Sequence, residues 1–298
     1  MKFLRWAYGK AWLVLVITTI LWGGNGVASR LAVGRVTPMS LVFIRWLAVC
    51  TLLAIALRKP IVENLDEIRK HLWRIALMSG FGFTGFTVLF YVSAYYTTAV
   101  NITLLQASIP PMVLGGAVVF RGLHPTPMQF VGMIVTLGGV ALVATHGEPQ
   151  RILETQFNFG DILVLIACVF YAGYTLALRD RPPLPPLVFF AALAFAALVT
   201  SFPFMLVEVA TGRFHWPTAQ GWLVLVFVAL GPSLASQLLY MRGVELIGPS
   251  RAGLFSNLVP IFGAMFAVLL LGEEFHVYHA VALALTLAGI WLAEARAG

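Results

Sequence analysis

Leu104-Leu-Gln-Ala-Ser-Ile-Pro110 falls on Leu254-Phe-Ser-Asn-Leu-Val-Pro260 when the chain is laid on itself with a shift of 150 residues. Carried on without a gap, the same shift brings Gly122 onto Gly272, Thr136 onto Thr286 and Gly139 onto Gly289. Earlier in each half, a shift of 149 sets Trp22-Gly-Gly-Asn25 over Tyr171-Ala-Gly-Tyr174 and Arg30 over Arg179. These matches divide the chain into two homologous halves, residues 1–148 and 149–298.

What each half contains follows from composition. Of 298 residues, 60% are hydrophobic and only 10% charged, and the mean hydropathy is +0.91. A soluble domain carries roughly 25% charged residues, so the chain belongs in lipid. A spanning helix takes about 20 apolar residues. Apolar runs bounded by charge or turn signals predict helices over 11–33, 38–57, 72–96, 98–120 and 127–145. The second half repeats them over 159–178, 186–209, 221–243, 249–271 and 277–294. Only 58–71 and 146–158 are longer connections, both charged and solvent-facing. Five spans is an odd number, so the second half enters the membrane from the opposite side. The fold class read from the sequence is an all-α membrane protein, a five-plus-five inverted repeat around a central cavity. Inverted repeats place a substrate site near the midplane, and rocking of one bundle against the other gives alternating access.

A net charge of +7 raises the question of nucleic acid, but the basic residues lie singly or in pairs between apolar runs and read as topology signals. With the N-terminus in the cytoplasm, that side holds about fourteen Lys and Arg, among them Lys2, Arg5, Arg58, Arg74, Arg121, Arg251 and Arg296. The other side holds Arg30, Arg35, Arg151 and Arg213. Both termini are therefore expected inside a bacterial inner membrane, which ten spans allow and nine do not. Lys2, Arg5 and Lys10 before Ala11–Trp22 mimic a signal peptide, but the apolar stretch runs on to Val33, and no cleavage is expected. Cys50 and Cys168 each sit inside an apolar run and suggest neither a disulfide nor a zinc site.

The residues around Pro110 and Gly122, repeated as Asn257 to Pro260, Gly272-Glu273 and Ala288-Gly289-Ile290, resemble the EamA-type branch of the drug/metabolite transporter superfamily. So do Trp22-Gly23 and Arg45-Trp46. The resemblance covers nearly the whole chain. It implies ten helices around a central cavity and export of metabolites, amino acids or drugs. Within the branch the chain is most similar to the YddG-type exporters of aromatic and other neutral amino acids. One departure is Leu123-His124 after Gly122, where members often carry an acidic residue.

Helix breakers inside spans mark backbone that protein or cavity water must satisfy. Gly23-Gly24-Asn25-Gly26, Pro110-Pro111, Gly231-Pro232 and Pro260 are such breakers. Gly24, Arg45, Pro110, Gly231, Pro232 and Pro260 are the candidates for hinges or gates. Arg45 is the basic residue well inside a span, roughly 10 Å from the start of its helix at 1.5 Å per residue. It could attract a carboxylate, snorkel, or hold helix ends together, and structure or gating is the favoured role.

Polar side chains at membrane depth generally face the bundle interior. Asn25, Asn101, Gln106, Ser108, Ser233, Ser236, Gln237, Ser256 and Asn257 can bind both ends of a zwitterion, or simply bond helix to helix. Trp6, Trp12, Trp73, Trp216 and Trp222 fit interfacial belts. Deeper aromatics could stack on a solute. The candidate substrate-binding set is Trp22, Asn25, Tyr91, Tyr95, Asn101, Gln106, Tyr171, Tyr174, Gln237, Tyr240, Ser256 and Asn257.

All the acidic residues, including Asp161, Glu208, Glu245 and Glu273, fall in loops or near span ends. No intramembrane carboxylate stands out as a proton carrier, Glu208 and Glu245 being the possible exceptions if their helix ends lie deeper. Downhill or exchange transport of neutral or zwitterionic solutes is therefore expected, with a proton-coupled drug or metabolite antiporter as the alternative. A lipid-directed membrane enzyme is the alternative of another class, but it would need clustered His, Asp or Cys near one interface. A lipid-flipping or channel-like protein is a third. Glu273-Glu274 with His276 and His279 fit no well-specified zinc motif. The expected partners are a small-molecule substrate and the bilayer, with no cofactor, metal or nucleic acid, and the chain is expected to act as a monomer.

Overall fold

Among the described residues ten apolar helices carry the fold, and each is a length of backbone that satisfies its own hydrogen bonds, as a segment in hydrocarbon must. The structure is a computed structural model that describes residues 8–148, 158–248, 252 and 255–294. Lys2, Arg5, Trp6, Arg151, Arg251, Leu254 and Arg296 lie outside the described residues, as do the boundary between the halves and the predicted start of the ninth helix. The first half consists of α1 (Ala11–Ala32), α2 (Pro38–Ala56), α3 (Leu72–Ser93), α4 (Ala99–Arg121) and α5 (Pro127–Ala144). The second consists of α6 (Phe159–Asp180), α7 (Pro186–Ala210), α8 (Ala219–Ile247), α9 (Ser256–Leu271) and α10 (Val277–Glu294). The connection between α2 and α3 is not irregular: it folds into two short exposed helices, Arg58–Glu63 and Leu65–Lys70.

The repeat extends to the irregularities of the backbone. A π-helical stretch interrupts α3 at Gly80–Gly85 and α8 at Ala229–Ala235. A 3-10 turn interrupts α4 at Gln106–Ser108 and α9 at Ser256–Leu258, each followed by a proline in the first turn of the helix that resumes. Gly122 and Gly272 end those helices in the left-handed conformation, at φ of 60° and 67°. Through α3 and α8 the shift of 149 sets Gly82 on Gly231, Thr84 on Ser233, Thr87 on Ser236 and Tyr91 on Tyr240. Bonds repeat with residues: Thr87 Oγ1 donates to the Phe83 carbonyl, and Ser236 Oγ to the Pro232 carbonyl.

Packing follows the same twofold relation. α1 lies against α8 and α9, as α6 lies against α3 and α4, while α2 crosses α7 and α5 crosses α10. The last crossing is made by small residues. A Cβ on Gly132 would strike the Gly289 carbonyl, one on Gly139 would meet the Ala282 carbonyl at 2.7 Å, and one on Gly289 would meet the Gly132 carbonyl at 2.6 Å. Such close approach is how helices gain contact in lipid, where no hydrophobic effect drives them together.

The run Gly23-Gly24-Asn25-Gly26 does not break its helix, contrary to the expectation from its composition: α1 is continuous from Ala11 to Ala32. The backbone there keeps its own bonds, and the missing side chains serve proximity. A Cβ on Gly23 would come within 2.8 Å of the Gly263 nitrogen, and one on Gly26 within 2.5 Å of Thr103.

Gly289→Ala should lower stability by about 1–3 kcal/mol through overpacking, read as a lower melting temperature in detergent. Gly138→Ala, where nothing lies within 4 Å of the new Cβ, should leave the melting temperature unchanged.

Candidate functional site

Midway along α1 and α6, aromatic and polar side chains from both halves come together. Trp22 packs on Tyr240, with ring centroids 5.3 Å apart, and Tyr171 lies 5.5 Å from Tyr174 and 5.0 Å from Phe86. Tyr171 and Tyr240 lie near each other across the halves, with Ser256 beside Tyr240. Toward the end of the bundle that carries Arg30, the Tyr91 hydroxyl donates to Asn25 Oδ1 at 2.6 Å and accepts from Arg45 Nη1 at 3.2 Å. Trp22, Asn25, Tyr171, Tyr174, Gln237, Tyr240, Ser256 and Asn257 are each half-buried, whereas Tyr91 is 1% and Arg45 4% exposed.

The backbone irregularities frame this group. Gln106 stands on the 3-10 turn of α4, which touches α5 and α6, and Asn257 on the matching turn of α9, which touches α1. The Gln106 amide bonds back to the Ile102 carbonyl. Pro110 is exposed and Pro260 buried, so the paired prolines have unlike surroundings. Gly231 and Pro232 lie within the π-helical stretch of α8, where the Ser233 hydroxyl takes up the Val228 carbonyl. Gly24 sits within the unbroken α1, beside the Phe227 ring.

Two residues of the predicted binding set lie elsewhere. Tyr95 is in the α3–α4 connection, 43% exposed. Asn101 is in the first turn of α4, 1% exposed, and its amide is committed to Asp161 and His279. Both belong to the Arg30 end. Polarity within an apolar run marks burial but not height along the span, which explains their inclusion.

That end holds three carboxylates whose partners the sequence did not show, Asp161 and Glu208 buried and Glu273 partly so. Glu208, in the last turn of α7, accepts from the Met39 and Ser40 backbone N–H groups and from the Ser40 hydroxyl, capping α2 from the other half. Glu273 accepts from the Ala99 and Val100 N–H groups, capping α4, and its Oε1 lies 3.7 Å from Arg30. Asp161 accepts from Thr97 Oγ1 at 2.5 Å and from the Asn101 amide, with His146 Nε2 3.5 Å away. An anion at a helix N-terminus meets unsatisfied N–H groups and the positive end of the dipole. Nothing in the sequence beside Glu208 or Glu273 points to helices so distant in the chain.

The opposite end is joined differently. Arg121 Nη2 pairs with Asp180 at 2.6 Å, and Arg74 donates to the Asp180 carbonyl. No carboxylate caps a helix of the other half there among the described residues, and the repeat explains why: Leu123 stands where Glu273 stands in the second half. A cleft of about 400 Å³ opens between α3 and α6 at this end, lined by Arg74, Phe81, Phe170 and Tyr174 among others. Of the central group it reaches only Tyr174.

No group of His, Cys, Asp and Glu suited to a metal occurs among the described residues. Glu273 is occupied in capping, His276 pairs with Glu274, and the buried His279 bonds to Asn101 and to the His276 N–H.

The sequence profile of the EamA-like transporter family matches residues 9–145 and again 158–294. Across 95% of its length the chain is 25% identical to the uncharacterized transporter YyaM of Bacillus subtilis, covering 93% of that protein. It is 26% identical to the uncharacterized inner membrane transporter YicL of Salmonella typhimurium, over 89% of each chain. An uncharacterized transporter of Archaeoglobus fulgidus is 24% identical over 96% of this chain and 98% of its own. A solved crystal structure superposes with a TM-score of 0.66 at 19% identity, over 95% of this chain and 96% of that one, and shares the fold.

Glu273→Gln should weaken the cap on α4, costing about 0.5–2 kcal/mol, visible as a lower melting temperature. Glu274→Gln, at a largely exposed side chain, should leave it unchanged.

Proposed function

We propose that this chain, which belongs to the EamA-like transporter family, exports small neutral or zwitterionic metabolites by alternating access, amino acids including aromatic ones foremost, as the YddG-type exporters do. The observation that carries this reading is the central group built from matched positions of the two halves: Trp22 with Tyr171, Asn25 with Tyr174, Tyr91 with Tyr240. Rings offer stacking faces to an apolar side chain, and the hydroxyls and amides of Tyr240, Ser256, Gln237 and Asn257 offer donors and acceptors to the polar end of a zwitterion.

The chain is a multi-pass membrane protein. On the reading that basic loops stay inside, the Arg30 end faces outward and the Arg74 end faces the cytoplasm. The conformation is then closed outside, by Glu208, Glu273 and Asp161, and loaded from within. Rocking of the halves breaks the outer caps, brings the cytoplasmic ends together and releases the solute. The central group holds no carboxylate to carry a proton, which favours downhill or exchange transport of a neutral solute.

Liposomes loaded with labelled threonine, methionine or phenylalanine and containing the purified protein should lose label without a pH gradient. No movement under any gradient overturns the reading, and strict dependence on the gradient overturns the uncoupled mechanism. Tyr171→Ala should shift preference away from phenylalanine several-fold with membrane insertion intact. A C-terminal fluorescent-protein fusion should fluoresce in bacteria, as expected of a cytoplasmic terminus; a dark fusion would reverse the orientation.

A further inference from the structure

Arg45 is a buried cation with no carboxylate paired to it among the described residues. It lies seven residues into α2, 4% exposed, and arginine does not give up its proton in proteins. Its Nη1 reaches the Tyr91 hydroxyl, and its guanidinium lies 4.9 Å from the Trp46 ring centroid and 5.6 Å from that of Tyr91. Its Nε has no partner among the described residues, and neither does Trp46 Nε1 beside it. The acid that meets α2, Glu208, has its oxygens on the Met39 and Ser40 backbone and the Ser40 hydroxyl. An unpaired charge taken out of water is costly even after relaxation, and ring faces return only part of that cost.

The repeat supplies an internal control. With the shift of 149 that relates α1 to α6 and α3 to α8, Trp46 meets Phe195 and Arg45 meets Ala194. α2 and α7 cross each other as twofold mates, and α7 makes its side of the crossing with no charge at this position. The crossing does not require the guanidinium. The cation is also tied to the central group, because Tyr91 passes the contact on to Asn25, one turn along α1 from Trp22.

We propose that Arg45 is the carboxylate-binding group of the transport site, so that the solutes carried must bear an anion. This deepens the export reading above and rests on it. In the present conformation the guanidinium is closed off. A solute that enters the central group and displaces the Tyr91 hydroxyl exposes it, and the carboxylate pairs with Nη1 and Nε while the apolar part of the solute stays against Trp22, Tyr171 and Tyr240. Amines and amides of the same shape lack the one group this site is short of.

The test is competition for exchange of labelled phenylalanine in liposomes bearing the full chain. Phenylalanine should compete at least about 10-fold better than phenylalaninamide, a ratio in keeping with a hydrogen-bonded charge. Arg45→Gln should erase that ratio, and Arg45→Lys should keep part of it. Equal competition by acid and amide in the wild-type protein overturns the proposal alone, and so does a preserved ratio in Arg45→Gln. Failure of any label to move overturns the export reading and this proposal together. If Arg45→Gln does not yield folded protein, the wild-type and Arg45→Lys ratios decide.

Discussion

A peptide group in hydrocarbon has no water to turn to, and every departure from the α-helix in this bundle has to be made good by protein. That requirement explains why the irregularities come in pairs. The π-helical stretches of α3 and α8 and the 3-10 turns of α4 and α9 lie where helices of the two halves meet, and hydroxyls close the gaps. Thr84 reaches the Ala197 carbonyl and shares a bond with Thr200, while Ser233 takes the Val228 carbonyl. Stretches of this kind are uncommon in helices and concentrate at functional positions. Here they flank the side chains that both halves send toward the middle.

The two halves share a scaffold but not their charges. Glu208 and Glu273 cap helices of the opposite half at the Arg30 end. The positions that correspond to them across the repeat are Lys59, by the shift of 149 that relates α2 to α7, and Leu123, by the shift of 150, and neither can accept a hydrogen bond from a helix N-terminus. Each closing surface therefore has its own chemistry, carboxylates on backbone amides at one end and arginines around Asp180 at the other. A symmetric backbone is thus joined at its two ends by unlike side chains, so the two junctions differ in strength.

Much of the fold was legible in the sequence because lipid makes it so. Apolar runs of about 20 residues have one stable form in a bilayer, and the ten predicted spans agree with the observed helices to within a few residues wherever the chain is described. The inverted relation followed from arithmetic on an odd number of spans. The candidate site was legible in part. Trp22 lies against Tyr240 and Asn25 bonds to Tyr91, but Asn101 was drawn into the same set although it serves the Arg30 end. The run from Gly23 to Gly26 reads as a break in terms of propensity, yet it acts through proximity to Gly263 and Thr103, which no local pattern reveals. Glu208 looked like a residue at the end of a span; its importance lies in where the start of α2 happens to be, more than 160 residues away in the chain.

The π-helical stretch of α3 has a consequence for the angular bookkeeping of the bundle. Each residue turns an α-helix by roughly 100°, so the wider turn at Gly80–Gly85 resets the phase of everything after it. Tyr91 points at Asn25 and Arg45 only in that phase. Removing a single residue from the stretch would restore regular winding and swing Tyr91 to another face, leaving hydropathy and helix count unaltered. The length of this short segment is thus under a constraint that composition does not record, and the same holds for Ala229–Ala235 and Tyr240. Relatives that keep the ten spans but gain or lose one residue here would present a different wall to their solute.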